Sequence, residues 1–344
     1  MKRRGVNYDV GRVLEGRMTR PTLDPKEILR EIEIIKDDLH CNSIKIQGSN
    51  VERVIAAGQE SLNQGLEVWL APELFEKNQQ ETFDYTVKAA AAAEDLRKRY
   101  PDRVVLSIGT ELTLFMQGIL PGTNLMERIG NPAIWREIMA GHYDAPLNDF
   151  LAKTASAVRS VFRGQVTYAA VARVERVDWS IFDFVCVDAY RDKMVKDSFG
   201  DVIEGYLKHN KPLVIGEFGC CTYRGAQERG GMGWDIVDWN ANPPKLKGDY
   251  IYDQGVQARE IIEDLRIFDE VGVEGAFVFT FVQPPTASDE DVRRLLKVIT
   301  FDPDAASYSL VKSIVGRKGT VYPDMPWEPK ESFKAVADYY KGNR

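Results

Sequence analysis

Short apolar runs alternate along this chain with longer segments of helical period, and the alternation continues from end to end. Eight runs have the length and the β-branched or aromatic content of core strands. They read R-R-G-V-N-Y near residue 3, N-S-I-K-I-Q-G at 42, L-E-V-W-L-A-P at 66 and R-V-V-L-S-I-G-T-E at 103. The second four are Q-V-T-Y-A-A-V at 165, F-D-F-V-C-V-D-A-Y at 182, P-L-V-I-G-E-F at 212 and E-G-A-F-V-F-T-F at 274. Helical patterns run over Asp24 to Leu39, Glu81 to Tyr100 and Asp253 to Val271, and a closing helix starts at Pro329. Asp24 and Pro25 supply an N-cap and a first helical residue, Ala89 to Ala93 form a small face for close packing, and Gly272 is a stop signal. Strands alternating with helices predict a parallel sheet with helical crossovers. Eight repeats predict a (β/α)8 or TIM barrel, an α/β fold, with residues 1–344 as a single domain. The interval between the fifth and sixth strands leaves room for only a turn or so of helix. Loop insertions are expected at about 112–162 and 219–250, the second lying over the end of the barrel where sites are built.

Composition narrows the function classes. Apolar residues make up 44% and charged residues 28% of 344, an ordinary balance for a globular chain with ample core material. The net charge of −7 is spread without long blocks, which argues against nucleic acid or an anionic membrane as partner. No run approaches 18 apolar residues, so no transmembrane helix is expected. The N-terminal M-K-R-R-G-V-N-Y has no apolar h-region, so no signal peptide is expected; a cytoplasmic location is expected, or a secreted one if a signal peptide has been removed. Cys41, Cys186, Cys220 and Cys221 read as free thiols, the last two packing the base of the loop after the seventh strand. His40, His142 and His209 stand isolated, without metal-ligand spacing, so neither a metal nor a cofactor is expected.

The chemistry concentrates at two strand ends. S-I-G-T-E-L places Glu111 at the end of the fourth strand, and V-I-G-E-F-G-C places Glu217 at the end of the seventh. A carboxylate inside such a run is costly to bury unless it is paired, hydrogen-bonded or left at the open end of the strand. Both glutamates should therefore emerge at the C-terminal mouth of the barrel, with Gly216 leaving room beside the second. Two carboxyl groups facing one cleft suit glycoside hydrolysis, in which one protonates the leaving oxygen and the other attacks the anomeric carbon.

Glutamates ending strands four and seven resemble those of clan A of the glycoside hydrolases, the large retaining (β/α)8 group, over nearly the whole chain. G-T-E-L and G-E-F-G are similar to the family 113 β-mannanase-like branch. The resemblance implies Glu111 as acid/base and Glu217 as nucleophile of a double displacement. It also implies that Tyr190, in D-A-Y, lies beside the nucleophile. Two positions depart from the group: Thr110 stands where most members have an asparagine that touches the sugar 2-hydroxyl. Strand eight offers Phe281 and Gln283 where many members end in a tryptophan platform.

Sugar binding needs flat apolar faces edged by polar groups. Asn7, Tyr8, Trp69, Glu73, Arg173, Arg191 and Trp234 are candidates for it, Trp179 could also line the cleft, and core packing is the competing role for each aromatic. Lys45 and Gln47 alternate with Ile44 and Ile46 on the second strand, so they point inward or toward the mouth. Lys45 could pair with a glutamate. Two other functions fit the same residues: a non-catalytic carbohydrate-binding barrel, and a Schiff-base aldolase using Lys45. The expected partner is an oligo- or polysaccharide; sugar, linkage, endo or exo action and oligomeric state are not encoded in these motifs.

Overall fold

The computed structural model describes residues 1–14, 16–283 and 289–342. Eight parallel strands close into a barrel: β1 (Arg3–Asp9), β2 (Ser43–Gly48), β3 (Glu67–Pro72), β4 (Val104–Thr110), β5 (Gln165–Val171), β6 (Val185–Asp188), β7 (Leu213–Phe218) and β8 (Gly275–Val278). Each pairs with its sequence neighbours, and β1 closes the ring by pairing with β8. The eight predicted runs are these eight strands.

Around them lie α1 (Pro25–Asp37), α2 (Val51–Asn63), α3 (Gln79–Arg99), α4 (Asp144–Val161), α5 (Phe199–Glu204), α6 (Gln254–Val271) and α7 (Glu331–Gly342). Local chemistry explains their ends. The Asp24 carboxylate accepts from the Lys26 amide at the start of α1. At α3, Asn78 and Glu81 form a reciprocal capping box, which starts that helix two residues earlier than the apolar pattern suggests. Gly272 closes α6 at φ +83°, a left-handed turn that costs glycine little. Between β5 and β6 there is a single 3₁₀ turn, Trp179–Ile181, as the short interval required. The first loop insertion is shorter than expected: it carries helices at Leu125–Ile129 and Pro132–Met139, but from Asp144 onward the chain is α4, the crossover helix. The second insertion holds two 3₁₀ turns and a ribbon pairing Val237–Asp238 with Lys245–Leu246, and Cys220 and Cys221 are buried free thiols at its base.

The N-terminal half of the barrel interior is a closed apolar plug. Trp69 packs there between Phe184 and Phe277, with ring centroids at 4.9 and 5.1 Å, and its indole donates to Glu67. Arg3 seals that end, its guanidinium over Phe184 and paired with Glu67 and Glu274. Trp69 therefore holds the core and does not reach the cleft. Strand periodicity corrects one more expectation, because neighbouring residues face opposite sides of the sheet. Tyr8 follows the inward Asn7, so it points outward, where its hydroxyl donates to Glu31 of α1 at 2.6 Å. Phe281 lies three residues past the end of β8, where the chain has left the strand, and is buried outside the barrel against Tyr8, Trp327 and Phe333. Trp179 is buried beside Phe182 and His209 and lines no cleft.

Candidate active site

Above the plug, the inward residues of β1, β2, β6 and β7 are polar. Asn7 donates to the carbonyls of Gly216 and Phe277, tying β1 across to β7 and β8. Lys45, paired in register with Asn7, sends its ammonium to the Gly216 carbonyl and to Glu217 Oε1, both at 3.3 Å, and lies 3.8 Å from Asp188. Gly216 makes this crossing possible. A Cβ there would lie 2.5 Å from Asp188 Oδ1 and 2.8 Å from Cys186 Sγ.

Glu217 is the centre of the arrangement. Its Oε1 accepts from Gln47 Nε2 at 2.5 Å and from Lys45, and its Oε2 accepts from the Tyr190 hydroxyl at 3.2 Å. Three donors converging on one carboxyl suit the anion, since an ionised carboxylate accepts at both oxygens and donates at neither. Burial alone would lower the pKa of the Lys45 ammonium, but the charges of Asp188 and Glu217 outweigh it, so the group is held above its ordinary value.

Glu111 has a different setting. It follows the last residue of β4 in the left-handed region, at φ 48° and ψ 42°, a conformation a non-glycine residue keeps only when its surroundings impose it. Those surroundings are specific. Its amide donates to the Ala169 carbonyl, the next amide, Leu112, donates to the Tyr168 hydroxyl, and the Thr113 amide donates to Glu175. Tyr168 in turn donates to Glu175 at 2.8 Å, so one buried carboxyl holds the turn that carries Glu111. Desolvation, then the charges of Asp188 and Glu217, push the Glu111 carboxyl well above the usual range, with Lys45 opposing. The same first cause, burial, raises Asp188. Glu111 thus holds its proton more tightly than an ordinary glutamate, while Glu217 is surrounded by donors.

The rest of the mouth is built from β1, β3 and β8. Glu73, directly after β3, accepts from Gln47 at 2.9 Å, and Arg12 lies 3.9 Å from its other oxygen. Arg12 also donates to Asp9 at 3.3 Å and lies over the Phe279 ring at 5.2 Å. Phe279, Tyr308 and Tyr190 follow edge to face, with centroids at 5.9 and 5.6 Å, back to Glu217. The aromatic ring at the end of β8 is therefore Phe279 and not Phe281.

Of the residues selected by pattern, Asn7, Lys45, Glu73, Tyr190 and Glu217 belong to one connected network, and Glu111 is linked to it electrostatically. Thr110 is buried at the strand end, with no hydrogen-bond partner for its hydroxyl among the described residues. Arg191 lies elsewhere: its guanidinium is clamped on Glu260 and Asp264 of α6, outside the barrel. Arg173 is exposed and paired with Asp192, bridging two rim loops. Gln283 is exposed and accepts from Ser307, without reaching either glutamate. Trp234 is part-exposed on the rim, next to Gly233, whose amide donates to Tyr308. Sequence reasoning missed Arg12, Asp9, Glu175 and Tyr168. Asp188 could have been found by the rule that selected the glutamates, since it too ends an apolar run.

A scan against protein-family models finds no match, and neither does a search of curated proteins. Solved structures do match. A family 113 β-1,4-mannanase superposes with a TM-score of 0.61 at 13% identity, covering 98% of both chains. A family 5 glycoside hydrolase from Prevotella bryantii B14, solved with a xyloglucan tetradecasaccharide, gives 0.57 at 11% identity over 98% of this chain and 96% of that one. The β-glucuronidase of Parabacteroides merdae gives 0.58 at 12% identity, with this chain spanning 36% of it. The fold is the barrel these hydrolases share. The likeness anticipated from G-T-E-L and G-E-F-G thus extends to the whole architecture.

Proposed function

We propose that the protein is a retaining glycosidase in which Glu217 is the nucleophile and Glu111 the acid/base. The observation that carries the reading is the contrast between the two carboxyls. One meets three donors at the end of β7; the other, at the end of β4, is pushed up by desolvation and by neighbouring negative charge. Divergent environments are how two like groups acquire opposite roles.

In the first step Glu111 gives its proton to the glycosidic oxygen while Glu217 attacks the anomeric carbon, so the leaving alcohol departs and a glycosyl ester forms. Once Glu217 is esterified its negative charge is gone, and the Glu111 carboxyl, now ionised, is less disfavoured. In the second step Glu111 takes a proton from water, the hydroxyl attacks the anomeric carbon, and Glu217 leaves as a carboxylate. Two inversions give net retention. Tyr190, Lys45 and Gln47 hold the nucleophile, and Phe279 with Trp234 offers aromatic surface for an oligo- or polysaccharide.

Lys45 supports this reading over a Schiff-base enzyme. An imine-forming lysine must reach the free amine, whereas this one is held as an ammonium by the charges around it. The test is a panel of polysaccharides and aryl glycosides, with NMR of the first-formed anomer. Retention in the wild type, and loss of turnover by orders of magnitude in Glu217→Ala and Glu111→Ala, is the expected result. An inverted product, or undiminished turnover in Glu217→Ala, overturns the assignment.

A further inference from the structure

Glu73 has no part in the two-step chemistry, yet it is tied to the nucleophile. Glu73 is buried at the end of β3, and its Oε1 shares a single donor with the nucleophile: Gln47 Nε2 lies 2.9 Å from Glu73 and 2.5 Å from Glu217. A primary amide carries two protons on one nitrogen, so Gln47 can serve both carboxyls at once. Its oxygen, sealed from solvent, has no hydrogen-bond partner among the described residues. The side chain is therefore anchored from one end only, by the two carboxyls it joins.

We propose that Glu73 is a positioning residue for the nucleophile, acting through Gln47, and that the ionisation of Glu73 controls how firmly Gln47 holds Glu217. The inference rests on the reading of Glu217 as nucleophile. A hydrogen bond to an ionised acceptor is roughly twice as strong as one to a neutral acceptor. With Glu73 ionised, Gln47 is drawn tight between two anions and the orientation of Glu217 is set. With Glu73 protonated, that anchor weakens and Gln47 holds the nucleophile less firmly beside Lys45 and Tyr190.

The charged and titratable groups around Glu73 come from every element packed on it: Asp9 at the end of β1 and Arg12 just after it, Lys45 on β2, Glu217 on β7 and Tyr85 on α3. Burial is the largest influence on Glu73, Arg12 opposes it, and Glu217 adds to it; together they push the carboxyl up to about 7. Its ionisation thus falls where the folded protein can be studied on both sides of it, which makes the linkage measurable.

The experiment has two readouts on the full chain. The first is the Gln47 side-chain amide resonance, assigned by its disappearance in Gln47→Leu and followed by 15N NMR from pH 5 to 9. The second is the pH profile of kcat on an aryl glycoside for the wild type and Glu73→Gln. The expected result is an amide resonance that titrates near pH 7 in the wild type, and a rise in kcat over the same range. Glu73→Gln should lose that rise, with KM changed less than about twofold. An amide that does not titrate in the wild type overturns the proposal, whether or not the variant folds. So does a Glu73→Gln profile that superposes on the wild type. Inverted products, or full turnover in Glu217→Ala, would instead fail the glycosidase reading, and the amide titration would still report separately whether Glu73 controls Gln47.

Discussion

Replacing Lys45 by methionine keeps the length of the side chain and removes its charge, which leaves Glu217 and Asp188 without their shared cation. At an effective dielectric constant of about 20, a unit charge 3.3 Å away is attracted by about 5 kcal/mol and one 3.8 Å away by about 4 kcal/mol. Those are gross attractions. Withdrawing an ammonium from water costs several kcal/mol, which the wild type also bears, so the net loss on breaking a buried pair is about 3–5 kcal/mol. The loss should depend on pH. Asp188 and Glu111 already titrate high because of burial and mutual repulsion, and Lys45 lowers both. Without Lys45 their folded-state values rise further, so the variant keeps its stability where they are protonated and loses it as pH rises. Urea denaturation at pH 8 and pH 5 measures this: a loss of about 3–5 kcal/mol at pH 8 and a smaller one at pH 5 is expected. A loss under about 1 kcal/mol at pH 8, or equal losses at both pH values, would refute the picture of one ammonium serving a cluster of carboxyls.

Glu73, pushed by burial from 4.5 up to about 7, is stabilising when protonated, so its contribution is fully present below pH 4.5 and lost as pH rises through 7. Glu73→Gln should therefore gain about 3 kcal/mol on the wild type between pH 4 and pH 8 in denaturation experiments, and a constant difference would contradict the shift. Gly216→Ala forces a methyl group against Asp188 and Cys186, so a stability loss of about 1–3 kcal/mol, together with lower activity, is expected by calorimetry and assay. Tyr190→Phe removes one of three donors to Glu217, and a hydrogen bond to a charged group is worth about 1.5–3 kcal/mol. Steady-state kinetics should show kcat/KM reduced about tenfold to a hundredfold.

The barrel was legible because its signal repeats. Eight apolar runs, each followed by a turn and most by a helical pattern, leave few ways to bury every run, and the strands occupy those positions. The strand-end positions of Glu111 and Glu217 were legible for a related reason: a charge at the end of a core strand is exceptional, and the parallel barrel carries both ends to the same side. Local end signals were less complete. The Asn78–Glu81 capping box lay outside the apolar period and set the start of α3, and the crossover α4 lay within the expected insertion.

Which side chains face the mouth was decided by the folded barrel. Tyr8 lies as near the end of its strand as Asn7 does, yet a shift of one residue on a pleated strand turns a side chain from the mouth to the helix layer. Phe281, three residues past β8, is placed by the path of the chain after the strand, packed on Trp327 and Phe333. Trp69 lies on an inward face, but at a depth where the interior is a plug, and the depth depends on strand tilt and stagger. Arg191 found its partners on α6, more than sixty residues along the chain. The meeting of Lys45, Gln47, Glu73, Asp188 and Glu217 likewise joins four strands. By itself the sequence determined the strand count, the two strand-end glutamates and the glycine beside one of them, because those are properties of short segments. Closure of the barrel decided the network, since hydrogen bonds and charge interactions act over a few ångströms in space, whatever the separation along the chain.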